Sequence, residues 1–202
     1  MKLRNLVVLV LLTALFLNII GTAPAFAGKG QKNPMVYVKT NLGSFTIELY
    51  PDKAPLTVEN FMHYVDHKFY NGLIFHRIID GFMIQGGGFN PDMVQKSPSP
   101  PIKNEATNGL KNLKYTIAMA RTGVVDSATS QFFINVKDNT ALDNKGTAQN
   151  EFGYCVFGKV IEGMEVIDKI KAVKTTKKGS YSDVPVKPVI IKSISKLEAE
   201  EE

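Results

Sequence analysis

One cysteine, Cys155, stands in the 202 residues, so no internal disulfide can form and stability has to come from packing. Tyr154, Val156 and Phe157 surround it in sequence, an apolar setting that speaks against a reactive thiolate. No Gly-x-Ser-x-Gly elbow occurs, which removes the serine-hydrolase reading. Histidine is scarce as well, at three residues. His63 and His67 have the i, i+4 spacing that lets two imidazoles share an ion, but Tyr64 stands where a zincin pattern needs glutamate and no third ligand is evident; both read as solvated helix residues. His76 alternates with Ile74 and Ile78 and is expected to be a hydrogen-bonded structural histidine, not a base. Clustered charge is missing too. The lysines are scattered, and the one dense run is acidic, Glu198 with Glu200, Glu201 and Glu202. Nucleic acid, which needs a basic face, is therefore not an expected partner.

Long apolar runs are absent apart from residues 6–20, and this one falls short of the ~20 residues that span a bilayer. It follows Lys2 and Arg4 and precedes Ala25-Phe26-Ala27 and Gly28. That is the form of a secretory signal peptide over residues 1–27, cleaved after Ala27 and leaving one domain over 28–202. No stable membrane insertion is expected once it is gone. No cysteine follows the run, so lipoprotein attachment has no acceptor.

What is present is mostly strand. Val36 and Val38 alternate with Tyr37 and Lys39, Asn41-Leu42-Gly43 turns the chain, and Phe45, Ile47 and Leu49 alternate with Thr46 and Glu48; a β-hairpin is expected. Val58, Phe61, Met62 and Val65 have amphipathic helical spacing after Pro55, which suits a helix start. Further strands are expected over 73–79, 115–119, 132–136, 156–162 and 189–196, and a second helix over 164–170. About eight short strands and two helices, without regular alternation, argue for a mainly β fold: a closed antiparallel barrel covered by helices. Two long loops, 90–104 and 138–151, are expected on the surface near the working face.

The rest is organised around residues 73–88. Positions 73–79 are apolar nearly throughout, and alternation would put Leu73, Phe75, Arg77 and Ile79 on one face. A guanidinium among hydrophobes is costly unless paired or used. The turn Asp80-Gly81 returns Phe82, Met83 and Gln85 toward Arg77, making an apolar, aromatic cup with a cation and an amide at its rim. Gly86-Gly87-Gly88 lacks the lysine and spacing of a phosphate loop and is expected to be a bend or a close backbone approach.

Residues 70–86 resemble the signature of the cyclophilin family of peptidyl-prolyl isomerases. Ser127-Ala128-Thr129-Ser130-Gln131-Phe132-Phe133-Ile134 and Phe157-Gly158-Lys159-Val160 resemble two further motifs of that family, and the likeness runs from Val36 to about Ile194. The resemblance implies an eight-stranded antiparallel barrel capped by two α-helices, with no cofactor and no metal. It places the catalytic arginine on Arg77 and the proline pocket on Phe82, Met83, Phe133 and Leu142. It places the residues that hold the substrate backbone on Gln85, Arg121 and Gln131, with Ala120 and Thr122 lining the groove. Three departures from the family pattern bear on the site. Ala141 stands where many members carry tryptophan, which implies weak cyclosporin binding; Tyr154 replaces histidine at the pocket; and Arg121 replaces asparagine.

The expectation is an exported isomerase of X-Pro bonds, acting as a monomer on proline-containing peptides and on unfolded or partly folded proteins. Its place would be the periplasm, or the medium if the host lacks an outer membrane. Two rivals stay open: a non-catalytic proline-peptide-binding chaperone using the same groove, and a scaffold whose Pro-rich segment, residues 97–101, docks on a partner.

Overall fold

The computed structural model describes residues 32–197; the expected leader and the acidic end lie outside the described residues. The elements are β1 (Met35–Thr40), β2 (Gly43–Leu49), α1 (Pro55–Asp66), β3 (Ile74–Ile79), β4 (Met83–Phe89), β5 (Thr116–Met119), β6 (Phe132–Asn135), β7 (Val156–Glu162), α2 (Met164–Lys171), β8 (Thr175–Lys178), β9 (Tyr181–Pro185) and β10 (Val189–Leu197). Eight strands close into an antiparallel barrel in the order β1-β10-β3-β4-β6-β5-β7-β2, as the sequence leads one to expect. The expected strand and helix limits fall within one residue of the observed ones at β5, β6, β7, β10 and α2.

Alternation works as read in the first hairpin: Val36, Val38, Phe45, Ile47 and Leu49 are all buried. The barrel interior is rich in aromatics. Phe132 meets Phe61, Tyr70 and Phe75 edge-on at centroid distances of 5.7, 5.4 and 6.0 Å, the geometry that the ring quadrupole favours. Helix α1 closes one end with Val58, Phe61 and Val65 buried, and Met62 is only partly so. Its N-cap residue, Ala54, has no side-chain acceptor, so the first amides are served from a distance. Glu105 Oε2 accepts from Thr57 N at 2.8 Å and from Thr57 Oγ1 at 2.7 Å, and Oε1 accepts from Leu56 N at 3.2 Å. A carboxylate there also meets the positive end of the helix dipole.

Two departures from the sequence reading matter. The first is β8 and β9, which pair with each other as a small separate sheet and were not anticipated. All four residues of β8 are exposed, so no buried face leaves a period to read. The second is in β3. Phe75 pairs with Gly86 and Arg77 with Gln85, which leaves His76 as the extra residue of a β-bulge. The bulge shifts the phase of everything after it: Leu73, Phe75 and Ile78 belong to the barrel core, whereas Ile79 joins a different cluster outside. Phe75 and Arg77 therefore do not share a face. The Arg77 side chain is 43% exposed, so the cost expected for a guanidinium among hydrophobes does not arise.

His76 is buried, with its ring 4.6 Å from that of Phe89. The hydrogen bonding expected of it fails at Nδ1, which has no partner among the described residues. Burial, and then the charge of neighbouring Arg77, lower its pKa to about 4, so it stays neutral at physiological pH. His63 and His67 lie ring to ring at 4.3 Å, and His67 Nδ1 donates to the His63 carbonyl at 2.8 Å. Among the described residues, no group of three or more His, Cys, Asp or Glu side chains is arranged to hold a metal.

Candidate active site

Directly opposed residues of antiparallel strands put their side chains on the same face. The register thus lays Arg77 of β3, Gln85 of β4, Phe133 of β6, Ala118 of β5 and Val156 of β7 in one row across five strands. The row faces out of the barrel. Met83, Ala118, Phe133 and Val156 form a buried apolar cluster of their own, flanked by Ile79, Phe82, Leu110, Ala120, Leu142 and Tyr154. Their strand neighbours Ile84, Ile117, Met119, Phe132, Ile134 and Phe157 belong to the barrel core. The same strands therefore build the core on one face and a second apolar floor on the other.

Polar groups border this floor on the Arg77 side. Gln85 Nε2 donates to Gln131 Oε1 at 2.9 Å. The glycine triplet makes that meeting possible. A Cβ on Gly88 would come 2.6 Å from Gln131 Cγ, and one on Gly87, whose φ is +84°, would come 2.9 Å from the Ser130 carbonyl. The close approach read from the sequence is thus β4 against residues 130–132. Arg77 Nε lies 3.8 Å from Asp183 Oδ2 on β9, a neighbour that the sequence reading did not find.

Beyond Phe133 the rim is set by a buried amide network, also unforeseen. Asn139 Nδ2 donates to the Phe82 carbonyl and to Asn135 Oδ1, both at 2.7 Å. Asn135 Nδ2 reaches Thr116 Oγ1 at 2.9 Å, and Asn112 N donates to Asp143 Oδ1 at 2.7 Å. Leu142 closes a 3₁₀ turn, Thr140–Leu142, with its N–H on the Asn139 carbonyl at 2.8 Å, while Tyr154 N donates to the Leu142 carbonyl at 3.0 Å. Fixed donors and acceptors thereby hold Phe82, Leu142 and Tyr154 around the floor. Five polar side chains buried in a β protein, Asn112, Thr116, Asn135, Asn139 and Asp143, are the signal that could have pointed to it.

Tyr154 meets Phe133 edge-on at 5.7 Å and carries Arg121 on its other side, with Cζ 4.8 Å from the ring centroid. The guanidinium is committed further: Arg121 Nε donates to the Gly153 carbonyl and Nη1 to the Thr122 carbonyl, each at 3.0 Å. Thr122 is exposed and gives its hydroxyl to Ser127 Oγ at 2.8 Å. Ala120 is partly buried, and its N–H meets the Gln131 carbonyl at 3.0 Å. A cavity of about 590 Å³ opens beside this rim, walled in part by Arg121, Thr122, Ala141, Lys145 and Tyr154. Residues 138–151 thus do border the site. Residues 90–104 dock on α1 instead, where Ser99 N donates to Tyr64 Oη at 2.9 Å.

The residues that the family resemblance assigns to the site lie along this wall, with Arg77 at one edge and Arg121 and Thr122 at the other. The wall offers an apolar floor, a half-exposed cation and a pair of amides. Cys155 is buried, and burial pushes its pKa up to about 11, so it supplies no thiolate near neutral pH. Such a set suits chemistry that rearranges a bound chain without breaking a covalent bond.

Comparison with known proteins agrees. The family described as cyclophilin type peptidyl-prolyl cis-trans isomerase/CLD matches residues 35–196. Peptidyl-prolyl cis-trans isomerase A of Dickeya dadantii is 54% identical over 177 residues, covering 88% of this chain and 90% of that protein. Peptidyl-prolyl cis-trans isomerase B of Escherichia coli is 55% identical over 161 residues, covering 80% and 98%. The crystal structure of a cyclophilin type peptidyl-prolyl cis-trans isomerase of Cryptosporidium parvum superposes with a TM-score of 0.68 at 26% identity, covering 83% of this chain and 99% of that one. A barrel closed by eight strands, with an apolar floor on the outer face of five of them, is in this chain the work of a member of the cyclophilin family of peptidyl-prolyl cis-trans isomerases.

Proposed function

We propose that the wall catalyses cis-trans isomerisation of X-Pro bonds in proteins folding after export, with Arg77 as the catalytic group. The observation that carries this is the register. Arg77, Gln85 and Phe133 are successive neighbours across β3, β4 and β6, so a proline ring seated on Phe133 and Met83 lies about 10 Å, two strand spacings, from the Arg77 backbone. A long side chain covers that gap.

A planar amide resists rotation by ~18–20 kcal/mol because twisting breaks N–C=O resonance. The twisted form has a nitrogen lone pair and less charge separation than the planar one. An apolar floor of Phe82, Met83, Phe133 and Leu142 accommodates it better than water does. A guanidinium N–H from Arg77 bonds that nitrogen strongly only once resonance is lost, so the interaction is made in the transition state. Lowering the barrier by ~7 kcal/mol gives on the order of 10⁵ in rate. Gln85 and Gln131, with the backbone at Ala120, Arg121 and Thr122, hold the substrate chain. The contribution at Arg121 comes from its main chain and from the guanidinium over the Tyr154 ring, because Nε and Nη1 are already engaged by backbone carbonyls.

Export to the periplasm, or to the medium of a host without an outer membrane, rests on the leader-like residues 1–27, and N-terminal sequencing of the exported protein tests cleavage after Ala27. The enzyme acts as a monomer on proline-containing peptides and unfolded chains and binds cyclosporin weakly. Exchange spectroscopy on a short Ala-Pro peptide tests the central claim: Arg77→Ala should lower kcat/KM by about 100-fold or more while peptide affinity persists in part. Equal rates in the two proteins would point to a peptide clamp without catalysis.

A further inference from the structure

The hairpin of β8 and β9 closes no part of the barrel, yet it packs beside β3. It is held at several points. Lys178 Nζ donates to the Pro91 carbonyl at 3.2 Å, the Tyr181 ring lies 5.4 Å from Phe89, and Val184 is buried. Phe89 in turn packs at a tilt against His76, the bulged residue next to Arg77. Between these anchors sits Asp183, with φ +60°. That is the left-handed region, where aspartate and asparagine are among the few side chains tolerated. In this conformation its carboxylate comes to 3.8 Å from Arg77 Nε.

Arginine is the most mobile of the groups on the wall, with four side-chain torsions to fix, and at 43% exposure little packing fixes them here. A carboxylate on the Nε edge opposes that freedom and leaves the terminal nitrogens to the floor. We infer that Asp183 is a positioning residue, which holds the Arg77 guanidinium on the substrate-facing side of the wall without itself touching substrate. This rests on Arg77 being the catalytic group. The left-handed backbone of a hairpin with no part in closing the barrel has its use here: it brings a negative charge to the one cation that borders the floor on the β3 side.

The test uses Asp183→Asn, which keeps the side-chain shape and tolerates φ +60°, and Asp183→Gly, which adopts that φ freely. Both should fold with the wild-type circular dichroism spectrum. By exchange spectroscopy with an Ala-Pro peptide, kcat should fall about 3- to 5-fold, the scale of a half-exposed ion pair, with KM unchanged. Raising the salt to 1 M should bring wild type toward Asp183→Asn while leaving the variant unaffected. In an Arg77→Ala background the Asp183→Asn change should do nothing more. If Asp183→Asn turns over at the wild-type rate, or lowers the residual rate of Arg77→Ala by the same factor as in wild type, the inference is wrong. If Arg77→Ala itself retains the wild-type rate, the catalytic role of Arg77 fails, whatever Asp183 does.

Discussion

Acid should destabilise this protein through His76. The ring is 6% exposed, its Nδ1 has no partner among the described residues, and burial with the adjacent Arg77 charge lowers its pKa from 6.5 to about 4. In the unfolded chain the same ring takes up a proton below about 6.5. Between these values the unfolded state binds more protons, so stability rises with pH; it is fully present above about 6.5 and drains away as pH falls toward 4. At 1.36 kcal/mol per unit, the shift amounts to about 3 kcal/mol in all, of which about 2 kcal/mol is gone at pH 5. For a domain with 5–15 kcal/mol in hand, that is a visible loss. Urea unfolding at pH 7 and pH 5 measures it, and His76→Phe supplies the reference. That ring can keep the packing against Phe89, removes an unsatisfied nitrogen and cannot titrate. Carboxylates, His63 and His67 remain in both proteins, so the difference between their two losses belongs to His76. Wild type should lose about 2 kcal/mol more than His76→Phe over this interval. Equal losses would refute the reasoning, as would a His76 ring resonance that titrates near 6.5 in the folded protein.

Glu105→Gln removes the charge that serves the first turn of α1 and should cost about 1 kcal/mol in urea unfolding with an unchanged m-value; a loss below about 0.3 kcal/mol would mean that water replaces it. Cys155, with its pKa pushed up from 9.0 to about 11, should be alkylated at pH 8 about 100-fold more slowly in the native protein than in urea. A rapid native reaction would show that the thiol is not held in its buried setting. Ala141→Trp should raise cyclosporin affinity about 10-fold or more, the equivalent of 1.4 kcal/mol. Because the chain contains no tryptophan, the new indole is the sole fluorescent reporter of its kind, and an unchanged affinity would show that the weakness lies elsewhere.

Where a side chain's burial repeats with its element's period, the sequence was legible. The hairpin of β1 and β2 and both helices announced themselves this way, whereas β5 and β6, buried at every position, showed only as short apolar runs. The floor was legible for a different reason: Phe82, Met83, Phe133 and Leu142 sit in motifs that resemble those of a known family, and no periodicity distinguishes Phe133, which faces out, from Phe132, which faces in. The failures share one cause. The bulge at His76, the polar hairpin carrying Asp183 and the amides of Asn112, Asn135 and Asn139 are all fixed by partners outside their own element. A pattern read along the chain holds no record of them. The bulge is the instructive case. One unpaired residue inverted the facing of Arg77, so the electrostatic reason for which the sequence reading singled it out, a guanidinium buried among hydrophobes, does not hold.

β10, last in chain order among the described strands, lies between β1 and β3. A chain that has emerged only to residue 188 therefore has an open seam, with the hydrogen-bonding edges of β1 and β3 facing one another across a missing stave. Closure waits for the C-terminus, and the ring of strands cannot be completed piecemeal during synthesis.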